Sequence, residues 1–542
     1  MTLLELPSEL LISVLRHLDG PTLARISQVN RFFHTVVTTS SILTYLQHLH
    51  VHKLQDNAAC SHLSTSEKLA LLKKQQSAWT HCKPDFELSA PITFRPGSVY
   101  DLSDGIYLLG EHGKQVLRYM QLPRTPADKI VWKAFKPVVE EPTDVRIKTI
   151  VDFAINIHEH DLIALITSMR YRGGRMSKYE LSLYQLSTGK PHPLAKQPVL
   201  EVMREESQLG APVVNCEIVG DYLALIVSFW FPIGPCEVFV WNWKTGNVLL
   251  NMEGESGSYA GIVFLSIDTI LLPNVLENNL EIWRLPSLDG TQEQPTAPIL
   301  TLGLFQTAMN YNVRFISCRA EPNPVPPNAI LKSDAPFHPA PEDAIVLLHF
   351  RIHGMGLVSL LTVFVHRSSV LKISEEPHER DVIDSVSSIP WAEWAPRITF
   401  CHDCGGDMPS RWITTTCGQR YVLLTLDDED LDEDMEEDDG LEKVPSKVRV
   451  LDFAPGNVRL AELRGVGDEG EDELVVRRGP HYIPTGSQKL FADDMVTYLP
   501  YVESRTKKKY MFDGALIDEE RIIGIKTDII GHITGVEVIH FG

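Results

Sequence analysis

The sequence predicts an α+β multidomain chain in which a short helical N-terminus leads into a large all-β domain. Three observations carry that prediction. Through residue 84 the apolar side chains recur at helical spacing, and from residue 85 their period changes to two. One strand-and-turn signature then returns seven times before the chain ends. At 542 residues the chain also exceeds what a single core holds, so two or more domains are expected.

The N-terminal helices come first. Pro7 suits the start of a helix, where its missing N–H is no loss. Leu10, Leu11, Val14, Leu15 and Leu18 follow at helical spacing and form one apolar stripe. Asp19-Gly20 stops this helix, Pro21 opens a second carrying Leu23 and Ile26, and a third carries Val29, Phe32, Phe33 and Val36. A unit this small exposes more apolar surface than it can bury alone, so part of that surface should face a partner or the next domain. Residues 40–84 continue the helical pattern. Ile42, Leu43, Tyr45, Leu46 and Leu49 predict one helix, and Ser64-x-x-Glu67 is a capping-box pattern ahead of Leu69, Leu71, Leu72 and Trp79. Pro84 marks the boundary of this linker, read as a rigid spacer.

The all-β remainder, 85–542, repeats an alternating strand followed by a turn. Aligning the residue after each alternation gives Tyr119, Tyr184, Trp241, Trp283, His366, Leu451 and Ile539. Apolar runs such as 161–167, 221–228, 344–350 and 420–426 precede four of them and predict neighbouring antiparallel strands. Seven such units closing into a ring predict a β-propeller of seven blades, within a range of six to eight, in which the chain's end helps close the ring. A different all-β array is the alternative.

Bulk composition sets further bounds. Hydrophobic content of 44% and charged content of 22% suit a packed soluble protein. The formal net charge is −21, but 11 of the 13 residues from Asp427 to Asp439 are acidic, and without them the chain stands at −10. This run lies in an insertion, 427–442, expected to be a solvated loop. No long basic stripe with interleaved aromatics exists, which argues against nucleic acid. Eight scattered cysteines, no N-glycosylation acceptor and acidic first residues point to the reducing cytoplasm or nucleus, with no membrane span expected.

Candidate chemistry is sparse. Gly465-x-Gly467-x-x-Gly470 is ringed by acidic residues that would repel a phosphate, so a loop is expected. Cys401-His402-Asp403-Cys404 has no second ligand pair beyond Cys417, so a surface turn is expected in place of a metal site. His158-Glu159-His160-Asp161 precedes an apolar run and is read as a polar hairpin turn. Arg505 to Lys509 is read as an exposed basic loop, as is the cluster of Arg170, Arg172 and Arg175. Catalytic residues, a metal and cofactors are all expected to be absent.

The N-terminus carries more than periodicity. Leu6-Pro7-x-Glu9-Leu10, Leu15-x-x-Leu18-Asp19, then Leu23, Ile26, Val29 and Phe33 resemble the F-box motif over residues 1–39. Asn30-Arg31-Phe32-Phe33 departs from the family's Cys-Lys/Arg-x-Trp, with phenylalanine as the substitute aromatic. The resemblance implies that Leu6, Pro7, Leu10, Leu15, Leu18, Leu23 and Phe33 lie in or behind the interface with a Skp-type adaptor, which joins cullin and RING subunits. It further implies a non-catalytic substrate-recognition subunit of a ubiquitin ligase, its β-domain facing an unknown protein substrate. The β-domain is similar to WD-repeat propellers in rhythm only, since no Trp-Asp dipeptide occurs. The whole arrangement resembles fungal F-box proteins. The alternative is a scaffold without ligase function, its helices capping the propeller.

Overall fold

The computed structural model describes residues 6–113, 116–137, 145–171, 176–206, 210–229, 234–289, 292–376, 387–403, 414–425, 444–466, 474–483 and 490–542. Five helices lead the chain: α1 (Ser8–Leu15), α2 (Gly20–Ser27), α3 (Arg31–Thr39), α4 (Ser41–Val51) and α5 (Thr65–Thr80). Short polar side chains set their starts. Asp19 Oδ1 accepts from Thr22 N at 2.8 Å ahead of α2, and Asn30 Oδ1 accepts from Phe33 N at 2.9 Å ahead of α3. Ser64 and Glu67 complete the capping box of α5, with Ser64 N donating to Glu67 Oε2 at 2.7 Å.

Seven sheets then follow in chain order over 96–135, 145–206, 213–254, 263–303, 311–403, 416–510 and 514–540, antiparallel except that Ser387–Ile389 joins the edge of the fourth in parallel with Leu300–Gly303. Each holds four or five strands, and the seven aligned residues of the repeat all fall in third strands, from Leu117–Gln121 in the first sheet to Ile533–His540 in the seventh. The ring order follows from packing. One apolar cluster joins sheets one and two around Leu108 and Ile163, another joins two and three around Leu181 and Trp243, and a third joins three and four around Val240 and Phe264. Further clusters link four to five through Leu302 and Val363, five to six through Phe364 and Tyr421, and six to seven through Val450 and Ile539. The last returns from sheet seven to sheet one, through Ile523 and Tyr107. Every sheet therefore buries both faces against its neighbours, which is a seven-bladed propeller.

The ring is closed by a strand from the other end of the chain. β2 (Phe86–Pro91) pairs antiparallel with Ile533–His540, in a register from Phe86 opposite His540 to Pro91 opposite Gly535. The seventh blade is thus made of three C-terminal strands and one that follows the helical linker directly.

Two local expectations are corrected. Arg505 to Lys509 lie within the strand Tyr501–Tyr510 of blade six, where Arg505 faces Glu503 at 2.6 Å and Lys508 reaches Glu87. Alternating cations are compatible with a strand whose other face is buried, as Thr506 is. Cys401, His402 and Asp403 form part of the outer strand Thr399–Asp403 of blade five, with Cys401 buried in the core; Cys404 lies outside the described residues. Cys417 sits in a different blade, and among the described residues no group of three His, Cys, Asp or Glu is placed to hold a metal.

The stretch His158 to Asp161 does make a hairpin connection, through one helical turn (Ile157–His160) and Asp161 at φ 55°. The acidic insertion 427–442, the residues from Gly467 to Gly470 of the glycine motif, and Arg172 and Arg175 lie outside the described residues. Among the described residues no helix is long and apolar enough to cross a membrane.

Candidate functional site: an apolar helical face and a charged axial cavity

The helices α1 to α3, together with the first turns of α4, form a small core. Leu11, Leu15, Leu23, Phe33, Val36, Val37 and Leu43 are buried together, with Leu18 and Ile26 packed against them, and no propeller residue enters this cluster. Of the residues the motif singled out, Leu15, Leu23 and Phe33 therefore build the unit from inside, and Leu18 and Leu6 are half-buried. Pro7 is exposed, and Leu10 keeps 54% of its surface in solvent.

Three apolar residues outside the interface set that the resemblance implied are also exposed: Val14 at 49%, Val29 at 68% and Phe32 at 42%. Leu10 and Val14 stand four residues apart and so share one face of α1. Phe32 packs edge-on to the buried Phe33 at 5.8 Å, which fixes its ring while leaving it open to solvent. The i,i+4 spacing of Leu10 and Val14 was the sequence signal available for this face. An ordered unit that leaves four large apolar side chains exposed has the character of an interaction surface.

What holds this unit relative to the propeller is the linker. β1 (Leu54–Asp56) pairs antiparallel with Phe337–Pro339, from the long loop of blade five. Around it Asn57 Nδ2 donates to Ser333 O at 2.8 Å and Ala335 O at 2.7 Å, and Lys53 meets Asp343 at 3.1 Å. At the far end of α5, Trp79 stacks on Phe541 with ring centroids 4.2 Å apart, and the Arg420 guanidinium lies over the same indole at 4.9 Å. Arg420 Nη2 also donates to Gln76 Oε1 at 2.6 Å. Gly456 comes so close to α4 that a Cβ there would stand 2.1 Å from Val51 O. The linker is a built-in strut, anchored on blades five, six and seven.

The second feature lies on the ring axis. Asp101, Glu217 and Arg319 belong to the first strands of blades one, three and five, and Arg319 meets Asp101 at 3.0 Å and Glu217 at 3.5 Å. Only strands that line the axis could bring side chains from alternate blades this close. Glu321 joins the same guanidinium at 3.0 Å, and Asn323 Nδ2 donates to Glu217 Oε2 at 2.8 Å. Asp152 and Glu519 complete the lining of a cavity of about 140 Å³. Burial pushes all five carboxyls up: Asp152 to about 7 and Glu519 to about 8, the latter helped by Glu520, Asp518 and Asp104. Arg319 opposes this at its three partners, and so one buried cation organises an acid-rich axis.

With this geometry in hand, the comparisons are specific at one end of the chain. Residues 3–46 match the F-box-like family. No curated protein matches the chain. Among solved structures it is similar to the WD40 domain of SCAP from fission yeast, at 8% identity over 84% of this chain and 98% of that one, with a TM-score of 0.34. The C-terminal WD40 domain of Sif2 gives 13% identity over 85% and 98%, with a TM-score of 0.35. Domains 1–2 of Drosophila semaphorin 1b give 9% identity over 83% and 86%, at 0.36. The blade count rests on the seven sheets and seven inter-blade clusters of this chain. An F-box-like unit fixed to a β-propeller makes this a protein-interaction chain.

Proposed function

We propose that the chain is the substrate-recognition subunit of a Skp–cullin–F-box type ubiquitin ligase. The observation that carries this reading is the exposed apolar set Leu10, Val14, Val29 and Phe32 on an F-box-like unit whose own core is already complete. A Skp-type adaptor would cover that face and bring cullin and RING subunits, while the propeller faces a protein substrate. The chain itself would contribute no acid, base or nucleophile. Its effect is proximity, and a strut anchored on three blades suits that role because it fixes the distance between adaptor and substrate.

The scaffold alternative, in which the N-terminal helices cap the propeller, is less well supported. The capping contacts belong to β1, α4 and α5, and the core of α1 to α3 takes no residue from the ring. The test is the paired variant Leu10→Glu/Phe32→Glu in a binding assay with the host's Skp-type adaptor. If each side chain acts as an interface anchor worth about 2 kcal/mol, affinity falls roughly a thousandfold while circular dichroism is unchanged. Unchanged affinity in a folded variant would refute the docking face.

A further inference from the structure

Between the linker and blade six lies a groove of about 570 Å³, lined from α4, α5, the helix Pro455–Leu463 and the strands of blade six. We propose that this groove binds a phosphate group. The inference concerns a different surface from the adaptor face and stands independently of the ligase reading.

The first argument is charge. In a chain of formal charge −21, this groove gathers Lys73, Arg420 and Arg464, with His48 and His52 beside them. Lys73 and Arg464 are exposed at its mouth and form no ion pair among the described residues. Asp452 is the one carboxylate in the lining, and it is engaged: Oδ2 accepts from Asn457 Nδ2 at 2.8 Å and lies 3.2 Å from Arg420 Nε, while Oδ1 accepts from Ala454 N at 2.9 Å. The cations are close enough to act on one another. Burial lowers His48, and Lys73 lowers it further; burial takes His52 down to about 4, with His48, Arg420 and Arg464 adding to the effect. Gathering like charges costs energy that an anion would recover.

The second argument is hydrogen bonding. Gln76 Nε2 and Trp79 Nε1 are buried donors with no hydrogen-bond acceptor among the described residues, and both residues line this groove. Orphaned donors gathered in one place are uncommon in a folded protein. What the lining lacks is acceptors and negative charge. A phosphate supplies both, with more acceptor oxygens than a carboxylate and a geometry that the forked guanidinium of Arg420 or Arg464 matches. The volume leaves room for whatever carries the phosphate, either a small ester or a phosphorylated peptide residue.

The test uses the full chain and calorimetric titration at constant ionic strength. The probes are inorganic phosphate against chloride, and a phosphoserine peptide against its unphosphorylated form. Phosphate is expected to bind and to raise the Tm. The Lys73→Gln/Arg464→Gln variant should lose at least tenfold in affinity with its ligand-free Tm unchanged, because both side chains are exposed. Phosphopeptide binding that tightens well beyond free phosphate would identify the carrier as protein; equal affinities would identify a small phosphate compound. The proposal is overturned if neither phosphate nor phosphopeptide binds above the chloride control, or if the double variant binds as well as the parent.

Discussion

Replacing Trp79 by alanine should release the strut without dismantling the ring. The indole is 3% exposed, stacked on Phe541 and covered by the Arg420 guanidinium. Truncating a buried aromatic of this kind costs about 3–5 kcal/mol, a figure that already includes the lost stack. Because α5 is otherwise held here by Gln76 and Ser504, most of that cost should fall on local opening of α5. A loss of about 4 kcal/mol raises the opening equilibrium roughly a thousandfold. Native-state hydrogen exchange reads this directly: amides of α5 should exchange much faster, while the strand Tyr222–Ser228 of blade three keeps its protection. A rise of less than tenfold in α5 would refute the idea that this contact anchors the linker.

Other perturbations separate the parts of the molecule. Leu15→Asp places a charge in the closed core of α1 to α3, so the F-box-like unit should unfold while the propeller's thermal transition persists, as seen by calorimetry; Leu10→Glu should leave both intact. Gly456→Ala drives a Cβ against backbone at Val51, where neither side yields easily, and should cost about 1–3 kcal/mol and expose the α4–α5 region to limited proteolysis. Glu519 gives a pH dependence. Its carboxyl is raised to about 8, so between its unfolded value and pH 8 the folded protein holds a proton the unfolded chain has lost, and stability falls as pH rises. The buried histidines His52 and His349, lowered to about 4, act with opposite sign but only up to their unfolded value of about 6.5. From pH 6.5 to 8 a decline in Tm is therefore expected, and Glu519→Gln should make it shallower, the remainder coming from Asp152, raised to about 7, and Glu321, raised to about 8.

Much of this architecture was legible because the third strands alternate apolar and polar residues or run apolar, and are punctuated by turns. Tyr184, Trp241 and Trp283 stand in strands that end in such turns, and the apolar runs before them are second strands. First strands were harder to see because they line the axis and carry charge, as Asp101, Glu217 and Arg319 do, or are as short as Thr416–Cys417. The closing strand Phe86–Pro91 finds its partner more than 440 residues away, a pairing no local pattern encodes. At the helical end the motif located the unit, but not the division between its inside and its outside. Leu15 and Leu10 read alike in an amphipathic stripe, and only the packing of α3 across α1 decides that one is core and the other is surface. The axial cluster was invisible because Asp101, Asp152, Glu217, Arg319 and Glu519 are spaced by 51 to 200 residues and meet only when the ring closes.

The most direct test of the receptor reading is co-expression of the full chain with the host's Skp-type adaptor, followed by size exclusion, alongside a chain lacking residues 1–37. The account predicts a one-to-one complex with the full chain, poor solubility of the full chain alone, and no complex with the truncated chain although its propeller folds. A well-folded full chain that elutes apart from the adaptor would contradict it.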